Sequence, residues 1–257
     1  MYIIISPAKT FKIPDNTSLK PYVPLTFHEA TRILVKQLSQ YTVEDLKQLM
    51  KMSEALAEVN EARYKAFFNP SQDSYEAIYT FYGEVYKALQ VESLDHEAIS
   101  FMQNHMGILS GLYGLIKPLD RIQAYRLEMG TTLSVGEKKN LYEFWKDDLT
   151  KYVLAQLERQ KEKGFLVNLA SEEYSKVLDL KAISKQYPVI QMSFKEASGE
   201  NYRVVGMYAK KARGQMLRFI CENKIEQVEE LKQFSESGYS WNKALSKEKH
   251  LVFTRNK

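Results

Sequence analysis

The run from Leu109 to Gly130, LSGLYGLIKPLDRIQAYRLEMG, constrains the fold more than any other part of the chain. Gly111 and Gly114 flank an apolar and an aromatic residue, so the backbone here can take positive φ angles or approach another segment closely. Residues 122–129 can form a helix after this turn. Apolar residues recur at helical spacing before it, at Ile99, Met102, Met106 and Leu109. The pattern predicts a helix, a glycine turn and a second helix over about residues 99–130.

Such a turn can present backbone N–H groups to a phosphate, because glycines leave the amides exposed and a helix N-terminus adds positive partial charge. A plain turn between two helices has the same composition, and this alternative stays open. Farther along, Tyr125, Arg126 and Glu128 combine a phenol, a bidentate cation and a carboxylate, which are groups that bind phosphates or nucleobases. The candidate nucleic-acid contacts of the turn are Ser110, Gly111, Tyr113, Gly114 and Lys117.

Two short apolar runs predict buried strands that stop at small polar residues. The first is Tyr2–Ile5 and the second is Phe165–Leu169. Open α/β sheets commonly bind ligands at the carboxyl ends of their strands, so the polar residues near both ends are candidate pocket residues. Ordinary turn and helix caps at the two serines are the alternative. The candidates are Ser6, Lys9, Thr10, Asn168, Ser171 and Tyr174.

A third signal lies where a strand passes into a helix near Tyr208. The first turns of this helix are cationic, against the preference of the helix dipole for acids. A bound anion would account for these cations, and a solvated helix face is the alternative. The candidate anion contacts are Lys210, Lys211, Arg213 and Arg218.

Composition sets outer limits on these hypotheses. A chain of 257 residues, 44% of them hydrophobic, with no Pro-rich or Gly/Ser-rich linker predicts a single domain. A net charge of +4 is too small to predict DNA binding by itself. The single Cys221 excludes an internal disulfide, and without a signal peptide or long apolar span we expect a cytoplasmic protein with no membrane partner. The four histidines show no ligand spacing, so we expect neither a metal nor a cofactor.

Six blocks of the chain occur in an order that is typical of one family. They are residues 6–10, 82–86, 109–130, 141–145, 167–171 and 208–214. Together they resemble the peroxide-stress protein YaaA family, and the resemblance covers essentially the whole chain. It implies one compact mixed α/β (α+β) domain, in which helices surround a mixed sheet. It also implies a helix-hairpin-helix-like element, a basic cleft that binds DNA, and a role in limiting peroxide damage.

Two function classes follow. The first is a DNA-binding protein that protects or helps repair oxidised DNA and binds a duplex or a junction with little sequence preference. The alternative is an enzyme that acts on a nucleobase or nucleotide, with glycosylase-like or lyase-like chemistry, at the strand ends. In such an enzyme Lys9 is the candidate nucleophile or electrostatic anchor, Glu128 transfers a proton, and Ser6 is a further catalytic candidate. We expect one pocket beside the basic cleft to contain Ser6, Lys9, Tyr125, Arg126, Glu128, Asn168 and Ser171.

Overall fold

The fold is organised around a mixed β-sheet in a computed structural model that describes residues 1–14, 25–69, 72–160 and 164–256. Eight of the described strands form this sheet in the order β4-β3-β1-β6-β7-β10-β9, with β8 paired to β7, and β2 and β5 form a separate pair. The strands are β1 (Tyr2–Ile5), β2 (Tyr75–Glu76), β3 (Met106–Ser110), β4 (Gly114–Ile116), β5 (Arg121–Ile122), β6 (Leu166–Asn168), β7 (Val189–Ser198), β8 (Asn201–Arg203), β9 (Tyr239–Trp241) and β10 (His250–Arg255).

The five central strands β3, β1, β6, β7 and β10 run parallel to one another. Every residue of β1 is buried, as expected of an apolar strand covered on both faces of a parallel sheet. In the register, Ile4 lies opposite Asn168 and Arg255 lies opposite Glu196. The carboxyl ends of all five strands therefore lie along one edge of the sheet.

Helices flank the sheet and begin at recognisable caps. Thr42 forms a capping box with Asp45, and the side chains of Asp95 and Asn140 accept backbone N–H groups at two further helix starts. The helices are α1 (His28–Leu38), α2 (Val43–Met50), α3 (Glu54–Ala66), α4 (Ala77–Thr80), α5 (Glu84–Leu89), α6 (His96–His105), α7 (Leu141–Glu158), α8 (Glu172–Ser175), α9 (Leu180–Ser184), α10 (Gly206–Glu222) and α11 (Val228–Leu231).

These elements share one hydrophobic core. Helix α10 packs on α5, α6 and β7, and α7 contacts β1 and β4. Gly214 brings α10 close to α5, because a Cβ atom there would overlap the carbonyl oxygen of Val85. The mixed α/β fold predicted from the sequence is thus confirmed, with helices around a mixed sheet in one compact domain.

The predicted helix-hairpin-helix element is wrong. Helix α6 ends at His105, the next five residues form β3, and a turn at residues 111–113 leads into β4, so the glycine segment is a β-hairpin. After β5, residues 123–128 form no helix. The sequence misled because a short apolar run such as Met106–Leu109 fits a buried strand as well as a helix, and pairing with β1 decided for the strand.

The two hairpin glycines serve close packing. Gly114 has a φ of +73°, and a Cβ atom added there would lie 2.7 Å from the Trp145 ring. A Cβ atom at Gly111 would overlap the carbonyl oxygen of Leu127. Ser110 and Tyr113 are also buried. The hairpin therefore offers no exposed row of amides to a phosphate.

Candidate functional site

Polar side chains lie together where β1, β3 and β6 end. We call them the strand-end cluster, and its members are Ser6, Lys9, Tyr86, Ser110, Tyr125, Arg126, Glu128 and Ser171. Ser6 follows β1 directly, and its hydroxyl oxygen accepts a hydrogen bond from the backbone N–H of Ser171 (2.8 Å). The Ser6 hydroxyl also donates to the Ser171 hydroxyl (3.2 Å). Tyr86 of α5 donates its hydroxyl proton to the Ser6 carbonyl (2.9 Å). Two segments that are distant in the chain, those after β1 and β6, are thereby joined at one edge of the sheet.

A charged group forms the second part of the cluster. Glu128 Oε1 lies 2.9 Å from Lys9 Nζ and 2.7 Å from Arg126 Nη2. Lys9 is 61% exposed, whereas Glu128 and Arg126 are 17% and 18% exposed. The Arg126 Nε atom is buried and has no hydrogen-bond partner among the described residues. Two cations held by one carboxylate leave an excess positive charge, which favours an anionic ligand.

The Lys9 environment bears on its predicted role as a nucleophile. A lysine amine attacks readily when burial disfavours its charged form. Here the side chain is mostly exposed and is paired with a carboxylate. This environment favours the electrostatic-anchor role over the nucleophile role.

A buried hydroxyl pair forms the third part. Ser110 Oγ lies 2.6 Å from the Tyr125 hydroxyl and accepts the backbone N–H groups of Leu112 (3.2 Å) and Tyr113 (3.0 Å). With both lone pairs engaged, Ser110 donates its own proton to Tyr125, so the Tyr125 proton remains free for another acceptor. Ser110 therefore holds the hairpin turn and orients Tyr125.

Three buried tyrosines connect these parts. Burial raises the pKa of Tyr86 well above its usual value, and the neighbouring Tyr125 and Tyr174 raise it further. Burial raises the pKa of Tyr125 also. The pKa of Tyr174 is raised first by burial and then by Tyr125, Glu173 and Glu128. All three phenols are thus neutral near pH 7 and can donate protons in hydrogen bonds.

The remaining candidates at this edge have local partners. Asn168 is buried, and its amide donates to Gln191 (2.8 Å) while its carbonyl oxygen accepts the N–H of Ala170 (3.0 Å). The Thr10 hydroxyl bonds the Tyr82 carbonyl, and the Tyr82 N–H donates to the Thr10 carbonyl (2.9 Å). Asn168 shapes the turn after β6, and Thr10 fastens the loop after β1 to the loop before α5.

The same fastening places an exposed basic surface beside the cluster. Tyr82 is 42% exposed, and the amines of Lys12 and Lys87 lie 5.7 and 4.6 Å from the centre of its ring. Lys211 of α10 lies 3.7 Å from Glu84, which Lys87 also approaches (3.6 Å). We call Lys12, Tyr82, Lys87 and Lys211 the lysine–tyrosine surface. Two open grooves of about 540 and 480 Å³ run along it and share Lys87.

The other predicted cations lie in different environments. Lys210 is exposed beside Lys211. Arg213 is partly buried, burial lowers its pKa, and it forms no hydrogen bond or ion pair with residues that the structure describes. Arg218 is engaged: it donates to the carbonyls of Leu89 and Gln90 (both 3.1 Å) and pairs with Glu222 (2.6 Å).

Lys117 does not belong to this edge. It follows β4, which runs antiparallel to β3, so Lys117 lies at the opposite edge of the sheet from Ser110. Its backbone N–H donates to Asp120 (2.8 Å) in the turn before β5.

Sequence reasoning missed three residues that the fold brings to this edge. Tyr86 lies in the block at residues 82–86, and its position just after the Tyr82–Gly83 break is the signal that could have identified it. Lys12 and Lys87 carried no signal, because single lysines on a loop and a short helix resemble any solvated charge. Their meeting around Tyr82 depends on the packing of the loop after β1 against Gly83, where a Cβ atom would lie 3.1 Å from that of Ala8.

The described residues offer few groups for metal binding or thiol chemistry. Within the described ranges, no three His, Cys, Asp or Glu side chains come together as metal ligands. Cys221 is buried, and burial raises the pKa of its thiol. Among those same ranges, none of the helices is both long and apolar enough to cross a lipid bilayer.

The fold and the edge cluster define an α/β protein with a polar, partly cationic site at the carboxyl ends of parallel strands. The chain belongs to the family described as peroxide stress protein YaaA, whose model matches residues 1–245. It is 43% identical over 259 aligned residues to a UPF0246 protein of Legionella pneumophila strain Corby, covering 99% of each chain. It is 41% identical over 259 residues to a UPF0246 protein of Francisella tularensis subsp. holarctica strain OSU18, covering 99% of this chain and all of the relative.

Proposed function

We propose that this member of the peroxide stress family is a DNA-binding protein that protects or helps repair oxidised DNA. The observation that carries the proposal is the continuity of the lysine–tyrosine surface with the strand-end cluster. Its two open grooves meet at Lys87, and Thr10 joins the loop that bears Lys9 to the loop that bears Tyr82. A nucleic-acid strand lying along the grooves would therefore pass beside the cluster.

The contacts available on this surface suit the DNA backbone. Lysine amines bind phosphates as point charges and carry no base preference, so binding has little dependence on sequence. The exposed Tyr82 ring adds a face for stacking once Lys87 moves from the ring to a phosphate. The carboxylates of Glu84 and Glu92 neutralise part of the charge, so the contacts are few and the affinity is moderate.

The test is the salt dependence of DNA binding. Fluorescence anisotropy of a labelled duplex and a labelled junction measures the affinity at each salt concentration. Release of counterions from three to five phosphates gives a log–log slope of roughly −3 to −5. The Lys87→Met and Lys211→Met variants should each reduce the slope by about one. Lys36→Met is the matched control, because this exposed lysine lies on α1, outside both grooves. A slope near zero in the unmodified protein, or equal losses in all three variants, would refute the proposal.

A second candidate function is favoured by the strand-end cluster itself. Lys9, Glu128 and Arg126 meet at the edge where open α/β sheets bind ligands, next to buried neutral phenols. We propose that the cluster receives a nucleobase or a sugar-phosphate unit as an enzyme site. In this role Glu128 exchanges a proton with the reacting group, and Lys9 and Arg126 hold its phosphate. Loss of turnover on oxidised-base or abasic DNA in Glu128→Gln, with DNA affinity retained, is the expected sign of such an enzyme.

A further inference from the structure

A second group of partly buried charges lies farther along the same edge, where β7 and β10 end. Arg255 at the end of β10 stands opposite Glu196 of β7 in the register. Arg255 lines the groove of about 480 Å³ between α5 and α10. This arginine lies beyond residue 245, where the match to the family model ends.

The position of the Arg255 side chain is set by a buried carboxylate. Glu196 is 5% exposed, and its Oε2 accepts a hydrogen bond from Arg255 Nε (2.8 Å), while Arg255 Nη2 lies 2.8 Å from the same oxygen as an ion pair. The other oxygen of Glu196 accepts the hydroxyl proton of Tyr239. Burial raises the pKa of that hydroxyl, and the bond to Glu196 raises it further, so Tyr239 remains a donor. The guanidinium is thus held by one charged partner on its inner side.

The outer side of the same guanidinium is open to the groove. A guanidinium has five N–H donors. Nε donates to Glu196, and Nη1 makes a long contact with the Ser237 carbonyl (3.4 Å). The guanidinium forms no other hydrogen bond with the residues that the structure describes, so donors on its terminal nitrogens Nη1 and Nη2 are available to a ligand in the groove. Tyr208 and Tyr239 keep the plane in place, with ring centres 4.6 and 5.1 Å from Cζ.

The opposite wall of the groove adds cations. Lys87 and Lys211 share the single carboxylate of Glu84, at 3.6 and 3.7 Å. Since Glu196 neutralises Arg255, the groove retains about one positive charge. A guanidinium and two amines that line the same groove match the charge of a phosphate group, and terminal guanidinium donors can bind a phosphate bidentately.

We infer that this groove is a phosphate-binding site centred on Arg255, with Lys87 and Lys211 as the other ligands. The group bound is the phosphate of a nucleotide unit, either in a free nucleotide or in a strand, and the exposed part of the Tyr208 ring lies where the attached base would stack. The inference extends beyond the proposed DNA binding, since a free phosphate ester fills the site without any strand.

The experiment is a titration of the whole chain with each of three probes. Binding is monitored by the NMR signal of the Arg255 Nε–H group and by calorimetry. The probes are inorganic phosphate, deoxyadenosine 5′-monophosphate and a short single-stranded oligonucleotide. Arg255→Lys keeps the charge that neutralises Glu196 but removes the guanidinium donors. Lys211→Met leaves Glu196 and Arg255 unchanged. Lys232→Met is the control, because this lysine pairs with Glu229 and stacks on Trp241 outside the groove.

We expect saturable millimolar binding of inorganic phosphate. The phosphate affinity should fall at least about tenfold in Arg255→Lys, fall less in Lys211→Met and stay unchanged in Lys232→Met. A parallel loss of oligonucleotide affinity in Arg255→Lys identifies strand phosphates as the ligand, and an unchanged oligonucleotide affinity identifies free phosphate esters. No saturable binding of either small probe, or equal phosphate affinity in Arg255→Lys, overturns the inference. Failure of DNA binding shows separately, as an absent salt slope while inorganic phosphate still binds.

Discussion

Lys9 Nζ lies 2.9 Å from Glu128 Oε1, and this ion pair joins the loop after β1 to the extended segment after β5. The same oxygen lies 2.7 Å from Arg126 Nη2. Lys9 is exposed and Arg126 is largely buried, so the two cations depend on Glu128 to different degrees.

This difference predicts unequal effects of two substitutions on stability. Lys9→Ala should lower the free energy of unfolding by less than about 1 kcal/mol, because exposed ion pairs contribute little. Glu128→Gln should cost about 1–3 kcal/mol, because it leaves the Arg126 guanidinium without a charged partner. Urea unfolding of both variants measures the difference. Equal losses would mean that Arg126 finds another partner or that the ion pair with Lys9 is stronger than its exposure suggests.

A second prediction concerns covalent chemistry at Lys9. If its amine condenses with the aldehyde of an abasic sugar, water leaves, and borohydride reduction of the resulting imine traps a protein–DNA adduct. Since Lys9 is exposed and paired, we expect no adduct above the level found in Lys9→Ala. Gel analysis after incubation with abasic DNA and borohydride measures it. An adduct that disappears only in Lys9→Ala would restore the nucleophile role.

The hairpin glycine supplies a third prediction. Gly114→Ala should destabilise the protein by about 2–4 kcal/mol, because it adds left-handed backbone strain to an overlap with the Trp145 ring. Gly136→Ala is the matched control: its φ is +56° and nothing lies within 4 Å of an added Cβ, so only strain of about 1–2 kcal/mol remains. Thermal and urea unfolding compare them. Similar losses would show that backbone strain, and not packing, requires glycine at position 114.

The buried tyrosines predict how stability depends on alkaline pH. Burial raises the pKa of Tyr64, Tyr86, Tyr125 and Tyr174 above the usual 10.0. Above about pH 10 the unfolded chain releases protons that the folded chain retains, so their stabilising contribution is complete below that pH and is lost as the pH rises. Each buried phenol adds at most about 1.4 kcal/mol per pH unit to this loss.

Urea unfolding between pH 8 and pH 11, together with phenolate absorbance, checks this expectation. The absorbance of the buried phenols should appear with unfolding and not before it. Tyr125→Phe should reduce the decrease in unfolding free energy per pH unit, whereas substitution of the exposed Tyr82 should not. Phenolate absorbance that rises fully while the protein is still folded would contradict the burial argument.

The two buried strands were predicted correctly from the sequence, whereas the structure around the glycine turn at residues 111–114 was not. Tyr2–Ile5 and Leu166–Asn168 are strands as expected, because each is a short apolar run bounded by turn residues. The cationic start of the helix near Tyr208 was also predicted correctly, since α10 carries Lys210 and Lys211 and has no acidic residue in its first turn. The helix-hairpin-helix element was wrong because local spacing could not show that β1 would pair with Met106–Ile108.

The chemistry of the individual residues was determined by the sequence itself: a serine after a buried strand, a carboxylate two positions from an arginine, and lysines early in a helix. Their grouping was decided only by the tertiary structure. Parallel pairing of β1 with β3 and β6 brings Ser6 to Ser171, and the loop packing at Gly83 brings Lys12 to Tyr82 and Lys87. The pairing of Glu196 with Arg255 likewise depends on strand register. The physical reason is that a side chain's type is local, whereas its partners, its desolvation and the charge around it come from segments that are distant in the chain.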